Sequence, residues 1–427
     1  MTRPPHTIHV ALVDGDRVWT TPDGALPSFV DDPQAGGPTA TATAARLLTD
    51  AAHLAPVVVL DETNRLHVLG SRGGTPERGR WADLAALPAD LRAHVEAAAR
   101  AHRGTPPAHR PAWYAPGWHD EVEEWIDSVL APSGRARTGP LRTHRVWSVS
   151  AVHTVPTDRG TLWFKASCDH FGAEAGIVET LASHLPDLVP EVVATDRDRS
   201  WLLTEPLAGV SDDGAPADAA AVLAPRWAAA QVASLDWLDE LRAAGAPDRG
   251  LEPTLLAWRD ALASNRELDD LTAEERARLA AAVPLVESRL RDLWGCGFPE
   301  TLGHGDLHAG NVAFDGVRPR IFDWSDGCVT HPFLDGTHLA HWITEESGGA
   351  VDERVRAVLA PWRDACPAAD FERAVELAPL ADLVFQTVTF DGLVRALEAG
   401  TGDFDGVVVM LTRKVIETVV GGGPQDS

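Results

Sequence analysis

The apolar positions of this chain change their period several times, and each change marks a different element. Ile8 to Val13 is apolar apart from His9. Asp14-Gly15 follows as a hairpin signal, ahead of Val18-Trp19. Thr39 to Ala52 is rich in Ala and Leu and reads as a helix. Val57 to Leu60 and Leu66 to Leu69 read as strands around a polar turn. Residues 1–102 are therefore expected to form a small α/β or α+β accessory domain. Residues 103–117, RGTPPAHRPAWYAPG, carry too many Pro and Gly for regular structure and mark a linker. Beyond it, Trp118, Val122, Trp125, Ile126 and Val129 recur at helical spacing. A second break, Pro132 to Pro140, leads into strand-like stretches at 145–155 and 161–166. A helix is predicted over 172–185, and strands at Val192-Val193 and Trp201 to Leu203. From about residue 209 the chain is dominated by Ala/Leu helices, interrupted at 301–324. The domains expected are thus 118–207, rich in strands, and 208–420, rich in helices, with residues 421–427 as a disordered tail.

Composition narrows the class. Apolar residues make up 44% of the 427, enough for a sizeable core. No uninterrupted run of about 18 apolar residues occurs, which argues against a membrane span, and the first residues do not read as a signal peptide. The four cysteines, at 168, 296, 328 and 366, include no CxxC pair. In a chain this large that pattern suggests reduced thiols and a cytoplasmic protein. The formal net charge is −26. Nucleic-acid binding needs a basic face, so no nucleic-acid partner is expected, and a neutral or cationic ligand suits the field better. Lysine occurs only at 165 and 414, so the position of each invites a reason.

The interruption reads GHGDLHAGNVAFDGVRPRIFDW over residues 303–324. Glycines 303, 305 and 310 permit tight backbone turns, so one loop can aim Asp306 and Asn311 at a common point. Val312 to Phe314, Asp315-Gly316 and Ile321-Phe322 form a hairpin pattern. The residue before its first strand, Asn311, and the residue after its second, Asp323, share the open end. An amide oxygen beside a carboxylate suits Mg²⁺, and Asp306 is set to accept a proton from a substrate hydroxyl. A base Asp, an Asn five residues on and a second Asp after a hairpin are the working parts of phosphoryl transfer. His304-Gly305-Asp306-Leu307-His308-x-x-Asn311, with Asp323-Trp324 and Pro332-Phe333-Leu334-Asp335, resembles the catalytic loop and following segments of the aminoglycoside phosphotransferase family. The resemblance covers roughly residues 140–400. It implies a bilobal protein-kinase-like fold of α+β class, with a small β-rich nucleotide lobe, a large helical lobe and the accessory domain in front. It also implies scaffold roles for His304 and His308. The competing zinc-hydrolase reading of His304-x-x-x-His308 needs a helix and a Glu base, and the glycines oppose the one while Asp replaces the other.

Phosphoryl transfer on this fold also needs a strand lysine and a helix glutamate. Thr161 to Lys165 is a strand pattern ending in one of the two lysines. Glu174 shares a helical face with Val178, Leu181 and Leu185, whereas Glu179 points about 140° away. A carboxylate on an apolar stripe wants a partner, and Lys165 is the one expected for Glu174. Ser148 and Ser150 stand where kinases carry a Gly-rich loop, and their amides are candidates for phosphate contact. Glu205 and Leu207, in Leu203-Thr-Glu-Pro-Leu207, resemble the hinge whose backbone meets the nucleotide base. ATP is expected from the resemblance alone.

The first hundred residues lie outside the resemblance. Their strand order and Arg80-Trp81…Leu84…Leu87-Pro88 look faintly Nudix-like. Residues 38–55, however, offer only Arg46 and Asp50 among charged types, so the glutamate cluster of Nudix chemistry is absent and a cap, docking or oligomerisation module is expected. The function expected is an ATP- and Mg²⁺-dependent O-phosphotransferase acting on a small molecule of aminoglycoside, sugar or amino alcohol class. Its rivals are a catalytically weak kinase-like binding module and a kinase that phosphorylates proteins. Asp326, Glu345-Glu346 and Asp391 are candidate acceptor carboxylates. Trp237, Trp258, Trp324, Trp342 and Trp362 are candidate stacking faces, if they are not core.

Overall fold

The computed structural model describes residues 5–31, 40, 43–44, 51–72, 78–211, 214–348, 350–399 and 401–420, the side chains of 217, 345–347, 351–352 and 420 excepted. The helix expected at 39–52, the tail and the side chains of Glu345 and Glu346 fall wholly or largely outside those residues. The contacts divide the chain into two units. The first holds Met1–His170, Val192–Pro206 and Ala396–Asp403; the second holds Phe171–Glu191, Leu207–Arg395 and Phe404–Ser427.

The first unit contains two sheets. The N-terminal sheet has strands β1 (His6–Asp14), β2 (Arg17–Thr20), β3 (Ser28–Asp31), β4 (Ala51–His53), β5 (Val58–Val59), β6 (Asn64–Ser71) and β7 (Arg80–Asp83). Its order is β4-β6-β1-β2-β7, with β3 on β1 and β5 on β6. The β1–β2 hairpin turns at Gly15 (φ +64°), and β1 runs parallel to β6. Strand β1 buries both faces. Ile8, Val10 and Leu12 join one cluster, while Ala11 and Val13 join another with Val95 and Ala98 of α1 (Ala89–Arg103). That explains why Val10 to Val13 are apolar in succession and do not alternate.

Helix α2 (Trp118–Leu130) follows the Pro-rich stretch. The second sheet is antiparallel, in the order β11-β12-β10-β9-β8. Its strands are β8 (Arg142–Val146), β9 (Ser150–Thr157), β10 (Gly160–Ser167), β11 (Val192–Asp196) and β12 (Trp201–Thr204). Along β10, Leu162, Phe164 and Ala166 are buried and Trp163 and Lys165 half-buried, the period-2 pattern of a strand. Trp118 meets Phe164 at 6.0 Å and Trp201 at 6.3 Å between ring centroids. Arg72, just past β6, pairs with Asp120 (2.9 Å) and Glu123 (3.4 Å) on α2.

The second unit is mainly helical. It holds α3 (Glu174–His184), α4 (Ala217–Ser234), α5 (Leu238–Ala243), α6 (Leu251–Ser264), α7 (Ala273–Gly295), α8 (Phe333–Ser347), α9 (Val351–Leu359), α10 (Pro361–Ala365) and α12 (Val407–Val420), with α11 (Phe371–Ala396) in it up to Arg395. Thr272 starts α7 with a reciprocal capping box to Glu275. Two short antiparallel strand pairs interrupt the helices: β13 (Thr301–Gly303) with β16 (Cys328–Thr330) and, between them in the chain, the hairpin of β14 (Val312–Phe314) with β15 (Pro319–Ile321). Helix α11 is long and apolar enough to cross a bilayer, but most of its apolar window is buried within the protein. Its composition is that of a core helix. Trp237, Trp258, Trp324, Trp342 and Trp362 are all buried, so they act here as packing residues and offer no face for stacking. Asp391 is also turned inward, held by Asn265 (2.7 Å) and Arg395 (2.9 Å).

The first unit buries histidines. His67 and His153 are about 2% and 1% exposed, and His119 lies 5.4 Å from His153 between ring centroids. Burial pushes the imidazoles of His67 and His153 down to about 3. An unfolded chain takes up those protons near 6.5 and the folded one does not, so stability is lost as pH falls from about 6.5 toward 3. We expect the urea midpoint of this unit, followed by tryptophan fluorescence, to fall steeply over that window. In His153→Phe the slope should be shallower. An unchanged slope would show that His153 is not one of the groups responsible.

Candidate active site

The segment after β13 is held by one buried carboxylate. Asp335, on the first turn of α8, is about 1% exposed. It accepts the backbone N–H of His304 (2.8 Å) and of Gly305 (2.9 Å). Burial pushes its carboxyl up, and His304 and those amides pull it only part of the way back. Gly305 adopts φ +83°, and a Cβ there would stand 2.6 Å from the Asp326 carbonyl oxygen, so only glycine fits. Gln386 of α11 closes the other side by donating to the Gly305 carbonyl (3.0 Å).

His304 braces the loop against the hairpin. It is fully buried, with Nε2 3.1 Å from the Phe322 carbonyl and Nδ1 accepting the Asp306 N–H (3.3 Å). Those partners assign the hydrogen to Nε2. Burial lowers its basicity despite the surrounding carboxylates, so it is a neutral bracket.

Asp306 itself is half-exposed. Desolvation pushes its carboxyl up, but the hydrogen bond and charge of His308, with His304 and His338, outweigh that and hold it below the ordinary value. Conversely, Asp306 raises the basicity of His308. The Gly310 N–H donates to His308 Nδ1 (3.0 Å); this leaves the ring hydrogen on Nε2, 3.4 Å from Asp306 Oδ2.

The β14–β15 hairpin presents the other two groups. Its register pairs Val312 with Ile321, and the Phe322 N–H donates to the Asn311 carbonyl (3.0 Å). Asn311 and Asp323 therefore lie at the open end, as the sequence pattern predicts. The Asn311 amide nitrogen donates to the Asp306 carbonyl (2.9 Å) and approaches its carboxylate (3.3 Å), which leaves Oδ1 as its acceptor atom. Asp323 has φ +60°, a conformation uncommon for a side chain of this type and frequent at functional positions. Its carboxylate accepts from Ser325 Oγ (2.7 Å). An amide oxygen and a carboxylate fit a hard divalent cation such as Mg²⁺, which takes its remaining ligands from water and phosphate. Among the described residues no three His, Cys, Asp or Glu side chains form a metal cluster; these two oxygens are the protein's candidate share.

Glu174 is 3% exposed at the start of α3 and Glu179 is exposed, the division that the helical period predicts. Within its unit Glu174 lies 3.3 Å from Ser325 Oγ, whose single hydrogen goes to the nearer Asp323. Ser325, which no motif singles out, thus touches both Glu174 and Asp323.

The remaining candidates, Leu207 excepted, belong to the first unit. Lys165 is on β10, paired with Val152 of β9 and Leu202 of β12. Ser148 and Ser150 are buried, and their hydroxyls are engaged. Ser148 donates to Asp403, and Ser150 accepts from the Trp147 indole (2.9 Å). The Glu205 side chain pairs with Arg135. The division between the units falls between Pro206 and Leu207, inside the segment expected to be a hinge. Asp403, Arg135 and Ser325 carry no local sequence signal for these contacts.

The family model of the APH phosphotransferase enzyme family matches residues 150–374. Among solved structures, the macrolide 2′-phosphotransferase MphH of Brachybacterium faecium is 16% identical, with TM-score 0.46, over 71% of this chain and all of the other. The choline kinase LicA of Streptococcus pneumoniae is 13% identical, with TM-score 0.46, over 70% of this chain and 99% of the other. A GDP complex of aminoglycoside 2′-phosphotransferase-IIIa is 16% identical, with TM-score 0.46, over 69% and 99%. No curated protein matches the chain.

Asp335→Asn replaces one acceptor oxygen by an N–H facing a backbone N–H. Leaving a buried donor unmade costs about 1–3 kcal/mol. Amide hydrogen exchange at His304 and Gly305 is expected to speed up by at least ~10-fold. Exchange at the parent rate would show that Asp335 does not hold the loop.

Proposed function

Because this chain belongs to the phosphotransferase enzyme family, we propose that it moves the terminal phosphoryl group of a nucleoside triphosphate, ATP in our reading, to a hydroxyl of a small molecule. The observation that carries the reading is the meeting of Asp306, Asn311 and the Asp323 hairpin end around one braced loop. Phosphoryl transfer passes through a loose transition state, so the protein's work is mainly positioning and charge stabilisation. Asp306 stays ionised at neutral pH because His308 and its neighbours hold its carboxyl low. It accepts the hydrogen of the acceptor hydroxyl and aims the oxygen's lone pair at phosphorus. Asn311 Oδ1 and the Asp323 carboxylate would hold Mg²⁺, which when bound neutralises the phosphate oxygens. Lys165 and Glu174 keep the phosphate-positioning roles that the family resemblance implies, and the backbone at Glu205 and Leu207 meets the base. The amides at Ser148 and Ser150 cover the phosphates. A protein of this kind works in the cytoplasm, where nucleotide is supplied.

The acceptor belongs to the aminoglycoside, sugar or amino alcohol class in this reading. The support is electrostatic: a chain of net charge −26 favours cationic or neutral alcohols over anionic ones. A purely regulatory module is disfavoured because Lys165, Asp306, Asn311 and Asp323 are all present.

Two variants test the assignment. Asp306→Ala is expected to lower kcat by at least ~100-fold with nucleotide affinity retained, the low end of general-base effects. Near-parent turnover would remove Asp306 from the mechanism. Asp323→Asn should weaken nucleotide binding in the presence of Mg²⁺ more than in its absence, by calorimetric titration. Equal losses in both conditions would remove Asp323 from the metal site.

A further inference from the structure

One buried charged pair lies directly behind the catalytic loop and is used by none of the roles above. His338, one turn beyond Asp335 on α8, stands 2.8 Å from Asp382 of α11. Asp382 is 8% exposed. Gln386, one turn further along α11, lies 3.3 Å from His338 Nε2 and donates to the Gly305 carbonyl. Two nitrogens that both carry hydrogen do not bond to each other, so the Gln386 amide is turned toward the loop. Residue 305 is thus clamped at its N–H by α8, through Asp335, and at its carbonyl by α11, through Gln386. The His338–Asp382 pair joins those two helices beside the clamp.

We propose that His338 is a positioning residue for phosphoryl transfer: its Nε2–H, facing Asp382, keeps Gln386 turned against the loop, and as an imidazolium it sets a positive charge near Asp306. The inference rests on the phosphotransferase reading of the site. The groups facing His338 are Asp382 on α11, Asp335 on its own helix, and Asp306 and His308 on the loop. The three carboxylates favour the charged ring and His308 opposes it. Among the described residues neither His338 Nδ1 nor Asp382 Oδ1 has a hydrogen-bond partner, so what Asp382 offers the ring is its charge at 2.8 Å from Nε2. Burial lowers the imidazole's basicity, but Asp382, then Asp335 and Asp306, bring it up to about 9. The sign follows: the charge is present below that pH and lost above it. Neutralising the ring removes a cation from the surroundings of Asp306.

The test is the basic limb of the rate profile, measured as kcat at saturating nucleotide and acceptor from pH 6.5 to 10.5. The parent should lose activity with a midpoint near 9. In Asp382→Asn, which keeps the shape of the side chain, the midpoint should move down by at least ~1 pH unit, the scale of one opposite charge at contact distance. In His338→Gln the limb should vanish, with kcat lowered throughout while the KM for nucleotide stays within about twofold. Parent-like limbs in both variants, with a uniformly lower rate, would overturn the proposal, since a merely structural role predicts that result. The NMR titration of the His338 ring in the parent gives a second readout, independent of turnover. A midpoint near 6.5 would also overturn it. Absence of transfer in the parent would instead sink the phosphotransferase reading, and this role with it.

Discussion

The geometry of the loop that carries Asp306 depends on one buried carboxylate at the start of α8. Asp335 is buried where a charge is costly, and it stays because two adjacent backbone N–H groups, at His304 and Gly305, need an acceptor. Those two amides fix the peptide planes immediately before Asp306. With them fixed, Gly305 turns at positive φ, and His304 reaches both the Asp306 amide and the Phe322 carbonyl. The loop and the hairpin then become one rigid piece. Without that acceptor, two adjacent buried N–H groups just before Asp306 would lack a partner. The spacing of Asp306, Asn311 and Asp323 would then specify residues without specifying a site.

That arrangement was largely legible in the sequence because its signals are local. The Asp315-Gly316 turn between two short apolar runs gave the hairpin and the shared open end of Asn311 and Asp323. The helical period separated buried Glu174 from exposed Glu179, and alternation marked the strand that carries Lys165. The contacts that complete the picture join positions far apart in the chain, where no period can report them. Ser148 meets Asp403 across 255 residues, Arg110 meets Glu398 across 288, and His338 meets Asp382 from a different helix. The tryptophans of the helical unit were read as possible stacking faces because composition cannot tell a core ring from an exposed one; burial decides it.

The accessory sheet shows a similar limit. Its first strand was visible as an apolar run, but its parallel pairing with β6 was not, since a crossover leaves no mark at either strand. The contacts of Arg72 with α2 join that sheet to the helix that opens the nucleotide-lobe segment. The N-terminal hundred residues are therefore packed into the first unit and are not a loose appendage of it.

The central claim is that the braced loop directs a phosphoryl group to an alcohol and not to water. The most direct measurement is ³¹P NMR of the intact protein with ATP, Mg²⁺ and matched cationic, neutral and anionic alcohols. A new phosphomonoester resonance with the cationic or neutral alcohols, formed in step with ADP, is the predicted result. Inorganic phosphate as the sole product, or an ester formed only from anionic alcohols, would contradict it.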